Sequence, residues 1–398
     1  MKKTMAIYCD CNSRGGVWSY TLRTLNMFKH WGWSTLLVTH PSRNEQEKPI
    51  LQELINSADQ HVYVDDALSS DENIAVIVEA LTRNAVDVFI PNYRKISYAA
   101  AALQTRRRTI DVIGVCHADH VSYYTVLRRY QDVISLFVCP SSKTKNELTK
   151  HVNVRNREKI RQIPHYVSLR SKDKAAYADT PFTVIYHGRI REEQKHCSEI
   201  IRVAEIVTRQ NRHVRFLLMG DGSETEHFQR SITDKSLSSN VAILPSRSWP
   251  EVQDALLASQ LAILTSRFEG FCYGVAEALS AGLPVAAYNC GSVINDFVES
   301  GKNGFIADWG NAGELAEWIS RVARNPGMWN EYADAATRTA DATFSFEKVQ
   351  SQYQRALQAT QGSATPWPYL RPAYIPVRGK SLRSFWERTG ARLSLWDP

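Results

Sequence analysis

The sequence predicts an α/β protein built from two doubly wound, mostly parallel sheets, and three observations carry that reading. Short apolar runs alternate with longer amphipathic ones through the first half, which is the pattern of repeated βα units. The alternation restarts after Ile163-Pro164, and between the two series lies the polar, weakly patterned "SLRSKDKAAYADTP", Ser168 to Pro181, which suits a linker. With 398 residues the chain also exceeds what one hydrophobic core usually holds.

In the first half the strand candidates are Met5 to Cys9, Ser34 to Thr39, His61 to Val64, Asp87 to Ile90, Asp111 to Val115 and Leu136 to Cys139. Between the first two, Trp18, Leu22, Leu25 and Phe28 recur at helical spacing and Gly32 supplies a stop. In the second half the candidates are Thr183 to His187, Val214 to Met219, Val241 to Leu244, Leu261 to Thr265, Pro284 to Ala287 and Gly304 to Ala307. Ser248 and Glu251 stand at capping-box spacing with Pro250 in the first turn, so a helix starts there and ends near Ser259. A last helix is expected from Phe346 to Thr360, followed by the Pro- and aromatic-rich "TPWPYLRPAYIPVRG" and the basic "KSLRSFWERTGARLSLW". The expected division is 1–167, a linker at 168–181, a second domain at 182–340 and a C-terminal crossover and tail at 341–398.

Composition narrows the function. Hydrophobic residues at 43% and charged ones at 22% are ordinary for a globular chain, and the net charge of +7 is mild for this length. That excess suits an anionic small ligand or an acidic lipid surface better than nucleic acid, so no nucleic-acid partner is expected. Seven scattered cysteines, an odd number, read as packed reduced thiols of a cytosolic protein. Cys9 and Cys11 form a C-x-C without a second pair or a nearby histidine, so no structural metal is expected. "MKKTMAIYCDCN" is too short in apolar residues for a signal peptide, and no window approaches the roughly 18 apolar residues of a membrane span. A cytoplasmic protein is expected.

The segment "SRFEGFCYGVAEAL", Ser266 to Leu279, follows directly from a strand and opens a helix, at the edge where open α/β sheets bind ligands. Gly270 permits a tight bend, and the amides from Phe271 through Cys272 and Tyr273 to Gly274 form a helix start of the kind that binds phosphate. Glu269 lies on the turn and Glu277 inside the helix; carboxylates accept hydrogen bonds from paired hydroxyls of a sugar or ribose. Together these describe a nucleotide-sugar site. The competing reading makes Glu277 a solvated helix residue and Glu269 a dipole partner.

These residues, with their surroundings, resemble the family-4 retaining glycosyltransferases of the GT-B fold, in which two Rossmann-like domains face each other across a cleft. The resemblance rests on the E-x7-E motif Glu269 to Glu277. It is supported by "GRIREEQK" at Gly188 to Lys195, "LLMGDGSE" at Leu217 to Glu224, "GKNGFIAD" at Gly301 to Asp308, "RGGVWSY" at Arg14 to Tyr20 and "VCPSSKTKNEL" at Val138 to Leu148. It implies that Arg189 and Lys195 clamp the donor diphosphate in place of a metal ion, so that no cofactor is needed. The spacing between Arg189 and Lys195 is one residue longer than the family's common pattern. It further implies that Gly15 and Gly16 bring backbone to the phosphates, that Glu277 binds ribose, that Glu269 holds the donor sugar and that His117 lies near that sugar.

The chain departs from the family where Ser292 and Val293 replace glycines, Asp296 stands at a glutamate position and Cys272 at a glycine position, so sugar identity does not carry over. The basic and aromatic tail, with Arg371, Arg378, Lys380, Trp367, Trp386 and Trp396, suits either packing back on the N-terminal domain or an anionic membrane surface and a lipid-linked acceptor. The expected activity is transfer of a sugar from a nucleoside diphosphate donor to a saccharide or lipid-linked acceptor hydroxyl. The rivals are a sugar-nucleotide 2-epimerase, a glycosyl phosphorylase and a non-catalytic nucleotide-binding scaffold.

Overall fold

The computed structural model describes residues 2–10, 15–42, 44–45, 47–167, 169, 173–179 and 181–366. The chain divides into two compact units. Among the described residues, the first is drawn from 1–139, 144–162 and 353–398, and the second from 140–143 and 163–352.

The first unit is a seven-stranded sheet of β1 (Thr4–Tyr8), β2 (Ser34–Thr39), β3 (Gln60–Tyr63), β4 (Val88–Ile90), β5 (Asp111–Val115), β6 (Leu136–Cys139) and β7 (Ile160–Gln162). Their order is β3-β2-β1-β4-β5-β6-β7 and every pairing is parallel. Strands β4 and β6 are buried along their whole length, as parallel strands covered on both faces must be, and this is why they read as apolar runs. The edge strand β3 is largely exposed. Strand β7 was not expected: of its three residues only Ile160 is buried, so it carries no apolar run.

The second unit is a six-stranded parallel sheet of β8 (Phe182–His187), β9 (Val214–Met219), β10 (Val241–Leu244), β11 (Leu261–Leu264), β12 (Val285–Tyr288) and β13 (Gly304–Ala307), in the order β10-β9-β8-β11-β12-β13. The strand order reverses between β8 and β11 here, and between β1 and β4 in the first unit. At such a switch point neighbouring loops diverge and leave a crevice at the carboxyl ends of the strands.

The helix Trp249–Leu257 has the expected capping box, Ser248 N donating to Glu251 Oε2 at 2.9 Å. The helix Phe346–Thr360 also lies where expected. From Tyr353 the chain belongs to the first unit and is fastened to it: Tyr353 and Tyr20 hydroxyls lie 3.2 Å apart, and Thr365 N donates to Asp132 O at 2.8 Å. The basic and aromatic tail from Trp367 onward, like Cys11 and Arg14, lies outside the described residues. Among the described residues no helix is long and apolar enough to cross a membrane.

Candidate functional site

The β8–β11 switch point carries most of the residues singled out from the sequence. After β8 the chain runs through Gly188-Arg189-Ile190, which stays laddered onto the segment after β9: Gly188 N donates to Met219 O at 3.0 Å and Ile190 N to Asp221 O at 2.9 Å. The contact is backbone on backbone. A Cβ at Gly220 would lie 1.8 Å from Gly188 O, and one at Gly222 would lie 1.6 Å from Ile190 O. This close approach is what the glycines of "MGDG" provide. Gly222→Ala is therefore expected to lower stability by about 1–3 kcal/mol through overpacking and to displace Arg189, the first of these read by urea denaturation.

Arg189 itself is exposed. Its Nη2 donates to Gln194 Oε1 at 3.0 Å, and its carbonyl accepts from the Tyr186 hydroxyl at 2.6 Å. Gln194 is a clip between the two switch-point loops: Arg267 N donates to its carbonyl at 2.8 Å, and its amide donates to Phe268 O at 3.3 Å. One short helical turn, Glu192–Lys195, then carries Lys195 towards the β11 loop. Thr265 Oγ1 holds that turn by donating to Lys195 O at 2.9 Å.

Lys195 Nζ lies 2.5 Å from Glu269 Oε1, with side-chain exposures of 14% and 7%, so the pair is almost out of solvent. Burial alone would depress the lysine. The adjacent carboxylate outweighs that cost and holds the ammonium above its ordinary pKa. Beyond Glu269, Gly270 is buried in the turn and Cys272 adopts φ +63°, the left-handed conformation that favours glycine, immediately before the helix Tyr273–Ser280. The helix start has no side-chain cap and no acid in its first turn. The Phe271 ring belongs to the core, against Phe297, Phe344 and His165, so only its backbone is available to a ligand.

Glu277 is not a solvated helix residue: it is buried, and its Oε2 lies 2.7 Å from His187 Nε2. Sequence reasoning missed His187, whose only signal was a polar residue closing the apolar run "TVIY". It also missed Ser266, whose Oγ is buried without a hydrogen-bond partner beside this loop. Arg189, Lys195, Glu269, Gly270, Phe271, Cys272, Tyr273 and Glu277 thus share one sheet edge of the second unit.

His117, Gly15 and Gly16 belong to the first unit. Gly15 is extended (φ −156°) and precedes the helix Gly16–His30, which starts without a side-chain cap. His117, after β5, places Nε2 2.9 Å from Asn92 Oδ1, while Asn92 Nδ2 donates to Tyr8 O at 2.5 Å. The asparagine oxygen is therefore the acceptor and His117 Nε2 the donor, which leaves Nδ1 with the acceptor lone pair. Burial lowers the His117 pKa to about 3, so the ring is neutral near pH 7. The folded pKa lies below the ordinary value of about 6.5, so the unfolded chain takes up a proton that the folded chain refuses. Stability is complete above that value and is lost as pH falls, by about 2 kcal/mol at pH 5. His117→Gln is expected to flatten the acid side of the stability profile, measured by urea denaturation between pH 7 and pH 5.

Among the described residues no group of three or more His, Cys, Asp or Glu side chains could hold a metal ion. Among the described residues five cysteines are buried and Cys290 is partly exposed.

A crystal structure of TarM from Staphylococcus aureus superposes with a TM-score of 0.74 at 15% identity, over 89% of this chain and 99% of that one. Anabaena HepE in complex with UDP-glucose superposes at 0.73 and 18% identity, over 89% and 99%. The fold is GT-B. Within it, residues 168–339 match the family model for glycosyl transferases group 1. The GT-B chain is 26% identical over 192 residues to a poly(ribitol-phosphate) alpha-N-acetylglucosaminyltransferase of S. aureus, covering 48% of this chain and 38% of that protein. It is 28% identical over 147 residues to a lipopolysaccharide 1,6-galactosyltransferase of Salmonella typhimurium, covering 36% and 40%. The chain thus spans about two fifths of the length of these two relatives.

Proposed function

We propose that this protein is a retaining, metal-independent glycosyltransferase that moves a sugar from a UDP-sugar to an acceptor hydroxyl in envelope polysaccharide synthesis. The observation that carries the reading is the pairing of Lys195 with Glu269, beside Arg189, at an open sheet edge that also holds buried Glu277. Cations and carboxylates in that order match a ligand with phosphates at one place and hydroxyls at two others. The UDP donor is supported by HepE with UDP-glucose and by pneumococcal GtfA with UDP and GlcNAc. An envelope acceptor is supported by the names of the relatives that act on poly(ribitol-phosphate) and lipopolysaccharide.

In this mechanism the C1–O bond to the diphosphate breaks while Arg189 and Lys195 receive the charge that develops on the leaving oxygens. Helix-start amides at Cys272 and Tyr273 add donors to the phosphates. The acceptor oxygen bonds to C1 from the same face, and its proton passes to the leaving phosphate, so no protein base is required. Glu269 accepts from a donor-sugar hydroxyl as Lys195 turns to the phosphate, and Glu277 accepts from the ribose. The protein works in the cytoplasm.

The test is a panel of UDP-, GDP-, ADP- and TDP-sugars in EDTA, with nucleoside diphosphate release and thermal stabilisation as readouts. Selective stabilisation and slow hydrolysis of one UDP-sugar in EDTA are expected. Folded protein that responds to no donor, or only with added divalent cation, would overturn the reading.

A further inference from the structure

Lys195 stands on a turn that cannot hold itself. It ends the helical turn Glu192–Lys195, four residues long, and His196 follows in the left-handed conformation, φ +49° and ψ +50°, before the helix Cys197–Gln210 begins. A turn of that length makes too few hydrogen bonds to fix its own geometry. A residue with a Cβ also enters the left-handed region at a cost that its surroundings must offset. The direction of the Lys195 side chain therefore depends on what grips His196.

The grips come from other strand ends of the same unit. Thr265, after β11 and fully buried, places Oγ1 2.9 Å from Lys195 O and 3.0 Å from His196 O, so its single proton is shared between the two carbonyls. The His196 ring is stacked on Trp309, after β13, with centroids 5.0 Å apart and planes inclined by 10°. Its Nε2 lies 3.1 Å from Glu192 Oε1, which ties the ring back across the turn. Trp309 is braced in its turn: the Arg267 guanidinium lies 5.8 Å from its centroid and the Tyr288 ring 5.4 Å from it. Tyr288, at the end of β12, donates its hydroxyl to buried Glu199 Oε2 at 2.7 Å, and Glu199 N donates to His196 O at 3.1 Å. Trp309 is nonetheless 42% exposed. An indole so placed adds less to the core than a buried one would, and its face is spent on the ring that sets the Lys195 turn. We propose that His196 and Trp309 are positioning residues for Lys195: their stack fixes the left-handed turn, and the turn aims the ammonium at Glu269 and at the donor diphosphate. The inference rests on the transferase reading above. Both rings act through the lysine.

The experiment compares Trp309→Leu, Trp309→Phe and His196→Asn in the full chain, alone and with Lys195→Met, by turnover of UDP-glucose, UDP-galactose and UDP-N-acetylglucosamine and by urea denaturation without donor. Asparagine keeps access to the left-handed turn and lacks the ring. Trp309→Leu and His196→Asn are each expected to lower kcat by about 10–100-fold, the effect of misplacing a catalytic group, with a smaller change in KM. Trp309→Phe keeps a ring to stack on and should restore most of the loss. In the Lys195→Met background neither change should lower turnover further. Without donor, the stability losses of Trp309→Leu and Lys195→Met should fall short of their sum when combined, because a lysine no longer aimed at Glu269 has less to lose. Unchanged turnover in both single variants would overturn the inference alone, and so would stability losses that add. A wild-type chain that turns over no donor would remove the transferase reading, and the stability cycle would then decide by itself: coupling keeps Trp309 as a positioning residue for Lys195, and additivity overturns both.

Discussion

Arg189→Ala and Lys195→Met are each expected to lower kcat by about 10²–10³, the effect of removing one preorganised charge-stabilising donor, yet to differ sharply in stability. Arg189 is exposed and its guanidinium donates to Gln194, itself at the surface of the loop, so its loss should leave the unfolding midpoint nearly unchanged, within about 0.5 kcal/mol. Lys195 neutralises a carboxylate that is 7% exposed. Removing it leaves Glu269 buried and unpaired, at a cost of about 3–5 kcal/mol. The double variant Lys195→Met with Glu269→Gln should recover most of that stability while turnover stays low. Steady-state kinetics paired with urea denaturation separate the two roles: equal stability losses for both single variants would mean that Arg189 is structural, and unchanged turnover in both would remove the diphosphate assignment. The Lys195–Glu269 pair also bears on donor binding in the proposed mechanism. If the proposed roles hold, a diphosphate draws Lys195 from Glu269 and frees the carboxylate for a sugar hydroxyl, so an intact donor should gain more from this pair than UDP alone.

The reason some of this was legible in the sequence, and some not, lies in the range of the interactions. The strands were legible because parallel strands such as β6 and β11 are buried on both faces and print as apolar runs. Strand β7 prints one buried residue and was invisible. The two glutamates were visible as a spacing, because both lie within one turn and helix. Their partners were not visible from that spacing. Lys195 lies 74 positions from Glu269 and His187 lies 90 positions from Glu277, and only the pairing of β8 with β11 brings them together. The sequence also left open whether Glu277 faced water, since a glutamate in a helix is solvated as a rule. Phe271 was read for its amide, and nothing local marked its ring as core. The stack of His196 on Trp309 went unread for the same reason as the glutamate partners: the two rings come from the loops after different strands, β8 and β13.

Glu277→Ala is expected to weaken UDP binding by about 10–100-fold, the value of one or two hydrogen bonds to a charged acceptor, with a smaller effect on kcat once donor is saturating. His187 should act through it. The imidazole occupies Oε2 of Glu277 at 2.7 Å, and its ring lies close enough to Gly274 that an added Cβ there would sit 3.6 Å from Cε1. A carboxylate buried inside a helix can turn about its side-chain bonds, and a second group that binds one oxygen fixes where the other points. His187→Phe should therefore raise the Kd for UDP without itself touching the nucleotide, and His187→Gln, which keeps a donor, should restore part of the loss. The decisive measurement is a double-mutant cycle on UDP affinity. If His187 works by orienting Glu277, the double variant should bind UDP no more weakly than Glu277→Ala alone, since there is nothing left to orient. Additive losses would instead give His187 an independent contact with the ligand. A change in KM with kcat preserved supports the positioning role, because the ribose lies away from the bond that breaks and contributes equally to ground and transition states.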